Sequence, residues 1–183
     1  ARDGNTITNS GTIIAGDSNG SLGGAGVGLG IAIGNDNTIV NTGRIVAGAN
    51  GFSIANSFVA GTTNRNIIVN NGTLDGTVFI FSDGNPGSSN SLTNSGLITI
   101  TDVSMNNAPG GYDTFNVLQP TPTDTMQLGG TLRAVLQRGT YQNTQTYLNI
   151  VTLCSLCGNT IQGTFAQVPS SSPFYAATAT YNP

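Results

Sequence analysis

Ile39-Val40-Asn41-Thr42-Gly43-Arg44-Ile45 is the stretch whose reading decides the fold, because the chain writes it four times. The other copies are Ile7-Thr8-Asn9-Ser10-Gly11-Thr12-Ile13, Ile68-Val69-Asn70-Asn71-Gly72-Thr73-Leu74 and Leu92-Thr93-Asn94-Ser95-Gly96-Leu97-Ile98. The pattern is apolar, any, Asn, small or polar, Gly, any, apolar. The Asn positions 9, 41, 70 and 94 fall 32, 29 and 24 residues apart, so the unit accepts insertions while its core is kept. That is the behaviour of a solenoid, whose stacked strands are held while its loops grow.

Each copy places two short β-prone segments on either side of Asn-x-Gly. Asn and Gly both tolerate left-handed backbone, which lets a strand turn a corner within two or three residues. The spacing therefore predicts a positive-φ corner at Gly43 and Gly72, and repeat corners at Asn9, Gly11, Asn41, Gly43, Asn70, Gly72, Asn94 and Gly96. A period of 24 to 32 residues fits three short strands and their corners in one coil, so a parallel β-helix is expected. Its coils stack about 4.8 Å apart with apolar residues piled into files. Other strands are predicted over Gly28–Ile33, Phe52–Ala55 and Thr77–Phe81, and loops over Asp17–Gly26, Ala60–Asn66 and Ser82–Ser91.

Composition points the same way. The chain has 183 residues, no Lys, Glu, His or Trp, and 26 Gly against 7 Pro. Its polar residues are Asn, Thr and Ser, which favour turns and strands over helices. Charged residues make up 7%, far below the roughly 25% of ordinary globular proteins. Five arginines, Arg2, Arg44, Arg65, Arg133 and Arg138, are scattered singly in a chain of net charge −3. They form no basic stripe, and nucleic acid is not an expected partner. No apolar run approaches the ~20 residues of a membrane helix. The sequence opens without Met or a signal peptide, and it reads as a piece of a longer, processed chain.

The repeated Asn residues allow two readings. In one they form an amide ladder, each side chain bonding its neighbours along the axis. In the other they are ligands for Ca²⁺ or a glycan. The ladder is preferred because no carboxylate stands at a fixed place beside them, whereas calcium-binding coils carry a periodic Asp.

Catalysis is not expected. Nucleophile systems of the Ser-His-Asp or Cys-His kind need a His, and acid–base work by Lys or Glu is equally excluded. The eight carboxylates, Asp3, Asp17, Asp36, Asp75, Asp83, Asp102, Asp113 and Asp124, are all single. A polysaccharide-cleaving β-helix enzyme is the enzymatic alternative, and it would need several Asp brought within ~10 Å of one another on one sheet face. No cofactor and no metal site is expected. Two cysteines without a histidine cannot supply the four ligands of structural zinc. The Asn19 and Asn71 sequons carry no assignment, nor does Arg2-Asp3-Gly4.

Past Asp102 the cassette stops. Asp124-Thr125-Met126-Gln127-Leu128-Gly129-Gly130-Thr131-Leu132 is followed by Gly139-Thr140-Tyr141, an expected strand Tyr147-Leu148-Asn149-Ile150-Val151, then Ile161-Gln162-Gly163-Thr164-Phe165 and an expected alternating strand, Tyr175 to Tyr181. In these motifs residues 102–183 resemble the passenger region of autotransporters, the type V secreted proteins of Gram-negative bacteria; the upstream cassettes look like the repetitive β-helix of that family. The resemblance implies a right-handed parallel β-helix, all-β, with coils over 1–101. Final coils and an autochaperone-like cap, hairpin- or sandwich-like, would occupy 102–183. Leu128, Leu132, Val135 and Phe165 are the expected core of that cap. It also implies an extracellular, cell-surface protein, attached through a C-terminal membrane barrel that this sequence does not include, or released. Its partners would be a host surface protein, a glycan or the same protein on neighbouring cells.

One departure from the family is Leu153-Cys154-Ser155-Leu156-Cys157-Gly158, where members have a small Gly- and Ala-rich turn. Passengers tend to avoid cysteine, since a large disulfide loop hinders passage through a narrow pore. A Cys154–Cys157 bridge closes only a tiny loop and is the favoured reading, with free thiols as the alternative. The implied function is an adhesin or aggregation factor binding through exposed loops. The alternative is a stalk and folding nucleus for an effector domain upstream.

Overall fold

The computed structural model describes residues 3–16, 29–48, 51–56, 63–81, 87–102, 115–118, 124–136, 141, 143–144, 146–153 and 161–181. Each cassette folds as two strands separated by a bend. They are β1 (Thr6–Asn9) and β2 (Thr12–Ile14), followed in the same coil by β3 (Leu29–Ile33). The second coil repeats this with β4 (Thr38–Asn41), β5 (Arg44–Val46) and β6 (Phe52–Asn56). The third has β7 (Ile67–Asn70), β8 (Thr73–Asp75) and β9 (Thr77–Phe81). The fourth has β10 (Ser91–Asn94), β11 (Leu97–Asp102) and β12 (Phe115–Leu118). Then come β13 (Thr125–Leu128), β14 (Thr131–Leu136), β15 (Val151–Thr152) and finally β16 (Ile161–Gly163).

Equivalent strands of successive coils pair in parallel and make three sheets. The first runs β1-β4-β7-β10-β13-β16, the second β2-β5-β8-β11-β14, and the third β3-β6-β9-β12-β15. The chain is a parallel β-helix with three strands per coil, as its cassette spacing predicts. Register is kept residue for residue. Ile7, Ile39, Ile68, Leu92, Met126 and Ile161 form one file, and Ile13, Ile45, Leu74, Ile98 and Leu132 another. Side chains alternate across a strand, so in Thr38-Ile39-Val40-Asn41 both Ile39 and Asn41 point inward. The inner files of sheets one and two meet Ile31, Ile33, Ile54, Val78 and Ile80 from sheet three in a single core. Each fully buried aliphatic side chain contributes about 1.5–3 kcal/mol.

The coils continue past residue 101 in unbroken register, since β11 pairs with β14 over Leu97–Asp102. Among the described residues every strand pairing is parallel, and the hairpin expected in the cap is not among them. The expected strand at Tyr147–Val151 shrinks to Val151–Thr152. The expected strand Tyr175–Tyr181 alternates half-buried and exposed side chains but finds no ladder partner, so it is not a strand. Instead the segment after β16 lies along the last coil. Gln167 and Ser170 bridge to Thr131 and Ala134, and the Tyr181 hydroxyl accepts from the Phe165 N–H at 3.0 Å.

Candidate functional site

The cassette Asn and Gly residues stand at the corner between sheets one and two. Asn9, Asn41, Asn70 and Asn94 are buried and bonded to one another in line. Asn9 Nδ2 donates to Asn41 Oδ1 at 2.8 Å, Asn41 Nδ2 to Asn70 Oδ1 at 2.7 Å, and Asn70 Nδ2 to Asn94 Oδ1 at 2.7 Å. Each amide also reaches a backbone carbonyl of the next coil, as Asn9 does to Arg44 and Asn41 to Thr73. The row ends where Asn94 Nδ2 donates to the Gly129 carbonyl at 2.8 Å. These side chains spend their capacity on each other, which is the ladder and leaves little for a cation or sugar.

A second row was not legible as such in the sequence. It lies four residues before the first, at Asn5, Asn37, Asn66, Asn90 and Asp124, at the start of sheet one. Here the backbone N–H of one coil donates to the side-chain oxygen of the next: Asn5 to Asn37, Asn37 to Asn66 and Asn66 to Asn90, each at 3.0 Å. Asn90 N–H ends the row on the Asp124 carboxylate. A third, shorter row lies two residues earlier, where Asn35 N–H donates to Asp3 Oδ1 and Asn64 N–H to Ser88 Oγ. The signal that could have found them is the constant offset from the cassette Asn.

The described parts of two expected loops, 63–66 and 87–90, are non-strand segments, but alternate residues turn inward. Asn64 and Asn66 of Ala60–Asn66, and Ser88 and Asn90 of Ser82–Ser91, are buried corner residues. Residues 60–62 and 82–86 lie outside the described residues, as do 17–26 and the two cysteines, Cys154 and Cys157. The buried amide atoms Asn64 Nδ2 and Oδ1, Asn66 Nδ2 and Asn90 Nδ2 find no partner among the described residues, and an unsatisfied one costs about 1–3 kcal/mol unless hydrated.

The glycine expectation is corrected too. Gly43 and Gly72 are not at positive φ. They are required because the coils stack backbone on backbone. A Cβ at Gly43 would overlap the Gly11 carbonyl oxygen, one at Gly72 that of Gly43, one at Gly96 that of Gly72, and one at Gly130 that of Gly96. The same carbonyls are the hydrogen-bond acceptors of the next coil, with Arg44, Thr73 and Leu97 N–H donating to Gly11, Gly43 and Gly72 at 2.8 Å. Of these four, only Gly130, in the fifth coil, combines close approach with positive φ, at 65°.

Gly130 reveals a fifth cassette. Met126-Gln127-Leu128-Gly129-Gly130-Thr131-Leu132 stacks on the fourth copy, with Leu128 in the Asn place. Leu128, Leu132 and Phe165 are buried in the core as expected. Val135 is only half-buried, because β14 buries Leu132 and exposes Arg133 and then leaves its last three residues near the rim.

Charges are paired across coils. Arg44 Nη2 meets Asp75 Oδ2 at 2.6 Å, and Arg65 meets both oxygens of Asp36 at 2.8 Å. The hydrogen bonds from Arg65 hold the Asp36 carboxyl below its ordinary value, against a smaller opposing effect of desolvation, and Asp36 raises the Arg65 guanidinium in turn. Among the described residues no three His, Cys, Asp or Glu gather as a metal site would need. No described helix is long and apolar enough to cross a membrane, which says nothing of a β-barrel.

The outer face of sheet one contrasts with that of sheet two, which carries Arg44, Asp75 and Arg133; the strands of sheet three are uncharged as well. The outward residues of sheet one on five successive strands are Thr6 and Thr8, Thr38 and Val40, Ile67 and Val69, Ser91 and Thr93, and Thr125 and Gln127. None is charged. Hydroxyl, amide and aliphatic groups stand there in two straight files, one coil apart along the axis and two residues apart across it. No family model matches the chain, and neither a curated protein nor a solved structure does.

Proposed function

We propose that the chain is a passenger segment of an autotransporter-like secreted protein, displayed at a Gram-negative cell surface as a non-catalytic adhesin or aggregation factor. The observation that carries this reading is the uncharged outer face of sheet one. It offers hydrogen-bonding groups and aliphatic area without the desolvation cost of charges. Such a face suits a glycan, a host surface protein or the same face on a neighbouring cell. This lateral surface takes precedence over the expected binding loops, since in the described parts of two of them Asn64, Asn66, Ser88 and Asn90 are buried corner residues and only Thr63, Arg65 and Gly87 are exposed. The resemblance of residues 102–183 to passenger tails supports secretion and a membrane barrel as partner.

Support for a binding rather than a catalytic role comes from how carboxylates are used. Asp36 and Asp75 face arginines, Asp3 accepts a backbone N–H, and Asp124 is buried at the end of a ladder. A polysaccharide-cleaving centre would need them gathered. A stalk for an upstream effector is favoured by one observation, the continuity of the amide rows through four coils. The deciding experiment applies the intact chain to immobilised matrix proteins, glycan arrays and sister cells. Binding to one of them that is lost when Thr38, Val40, Ser91 and Thr93 are replaced by Asp is expected; uniform absence of binding overturns the adhesive reading and leaves the stalk.

A further inference from the structure

The strands of sheet one are fastened at both ends by buried polar residues. Asn5, Asn37, Asn66, Asn90 and Asp124 stand directly before β1, β4, β7, β10 and β13, and Asn9, Asn41, Asn70 and Asn94 close the first four of those strands. Both rows bond from coil to coil, the first through backbone N–H groups onto side-chain oxygens and the second from amide to amide. The axial repeat is therefore pinned along both margins of this sheet, and its register runs one to one across β1, β4, β7, β10 and β13. Sheet three is uncharged too, but its register shifts between Phe52 and Ile54. Sheet two carries Arg44, Asp75 and Arg133 on its strands.

The outward side chains of sheet one inherit that order. Thr6, Thr38, Ile67, Ser91 and Thr125 form one file, and Thr8, Val40, Val69, Thr93 and Gln127 form the other. Neighbours lie about 4.8 Å apart along a file and about 6.6 Å apart between files, one strand spacing by two residue rises. Eight of the ten are Thr, Val or Ile, whose branched Cβ restricts the first torsion, so hydroxyls and methyls are held in place before contact. No charge stands among them to draw water into a hydration shell of its own. The water oxygens on the prism face of hexagonal ice form a rectangular net whose two spacings are close to these.

We propose that the outer face of sheet one binds ice. Its hydroxyls join the surface net of water, its methyls sit in the gaps of that net, and water held between them is ordered in the lattice of the crystal. Protein bound at many points pins the growing surface, which then bulges between molecules and freezes at a lower temperature without a change in melting point. The proposal rests on the reading of this face as the binding surface and names its partner. A crystalline glycan is the other repeating surface on this scale, but sugar rings are gripped by aromatic faces, and none stands among these ten side chains. The Phe52–Phe79 pair belongs to sheet three.

The test grows a single ice crystal in a solution of the intact chain carrying a fluorescent tag, and measures the gap between the melting and freezing points of seeded ice. Fluorescence taken up into the crystal and a gap that widens with protein concentration are expected. Thr93→Tyr, a bulky outward change in the middle of the face, melts like the parent and narrows the gap at least tenfold. Val69→Thr keeps the branched shape and retains the gap, and Thr12→Tyr, on the outer face of sheet two, leaves it unchanged. A parent chain excluded by the growing ice overturns the proposal, and leaves the adhesive reading standing if that chain binds matrix proteins, glycans or sister cells. Retention on crystalline chitin that Thr93→Tyr abolishes, without uptake into ice, overturns it in favour of a glycan. Uptake into ice that Thr93→Tyr leaves intact, or that Thr12→Tyr reduces equally, overturns it as well. A chain that binds none of these surfaces sinks both readings.

Discussion

Coils one to four and coil five follow the same path with different chemistry at one position. Asn9, Asn41, Asn70 and Asn94 hold their corner by amide bonds, while Leu128 holds the equivalent corner by burial. Gly stays in place throughout, at 11, 43, 72, 96 and 130. The difference separates two requirements that the cassette presents as one. Glycine is demanded by the distance between coils, whatever chemistry stands beside it. Asparagine is one of two ways to fill the inward site before it, and its amide needs an oxygen in the next coil, supplied by another Asn or, for Asn94, by the Gly129 carbonyl.

The strongest way to break that comparison is to test the glycine. Gly72→Val drives a side chain into the Gly43 carbonyl, and the expected cost is roughly 3 kcal/mol or more, with loss of the cooperative melt. A variant that melts like the parent would mean the coils can part at this corner. Next comes the apolar end. Leu132→Ala should cost about 3 kcal/mol in urea denaturation, as for other buried leucines, whereas half-buried Val135→Ala should cost under about 1 kcal/mol. Equal costs would return Val135 to the core.

The amide row gives a smaller and more pointed pair. Asn70→Ala strands Asn41 Nδ2 and Asn94 Oδ1 and should cost about 2 kcal/mol. Leu128→Asn exchanges apolar burial for a lengthened row and should stay within about 1 kcal/mol of the parent. If Asn70→Ala is silent, the amides are bystanders. The smallest effect belongs to Asp36→Asn at the exposed pair with Arg65. The folded carboxyl titrates below its ordinary 3.8, so its stabilisation is present above that pH and fades as pH falls through the lower folded value. The variant and the parent should therefore differ slightly at pH 6 and converge in acid melts; a difference that persists at low pH would assign the effect to packing.

The sequence displayed the solenoid because period-2 burial and stacking act on neighbouring residues. Ile39-Val40-Asn41 announces its inward face by alternation alone, and Thr77–Phe81 by β propensity, and both are strands within those bounds. What was not legible depends on contacts between residues 24 to 35 positions apart. Asn64-Arg65-Asn66 and Ser88-Ser89-Asn90 have loop composition, yet Asn66, Ser88 and Asn90 turn inward, where their side-chain oxygens accept backbone N–H groups of the preceding coil. The fifth cassette was hidden by a single exchange, Leu for Asn at 128. The glycine corners were assigned to backbone conformation because a sequence shows what a residue permits locally, whereas the Gly11 carbonyl above Gly43 exists only once the coils are stacked. The uncharged face of sheet one was within reach of the sequence as alternate Thr, Val and Ser positions, but it becomes one surface only through the register of five strands.

The direction of the amide row has a mechanical consequence. Pulling along the helix axis loads the side-chain bonds end to end, as links of a chain in series, while the backbone bonds of each interface share the load side by side. A link in series fails at its weakest joint. Asn70–Asn94 and its neighbours are near-equal at 2.7–2.8 Å, so within the row no joint is set apart as the first to yield. Under tension the protein should therefore shed length in steps of one coil, absorbing work at each step.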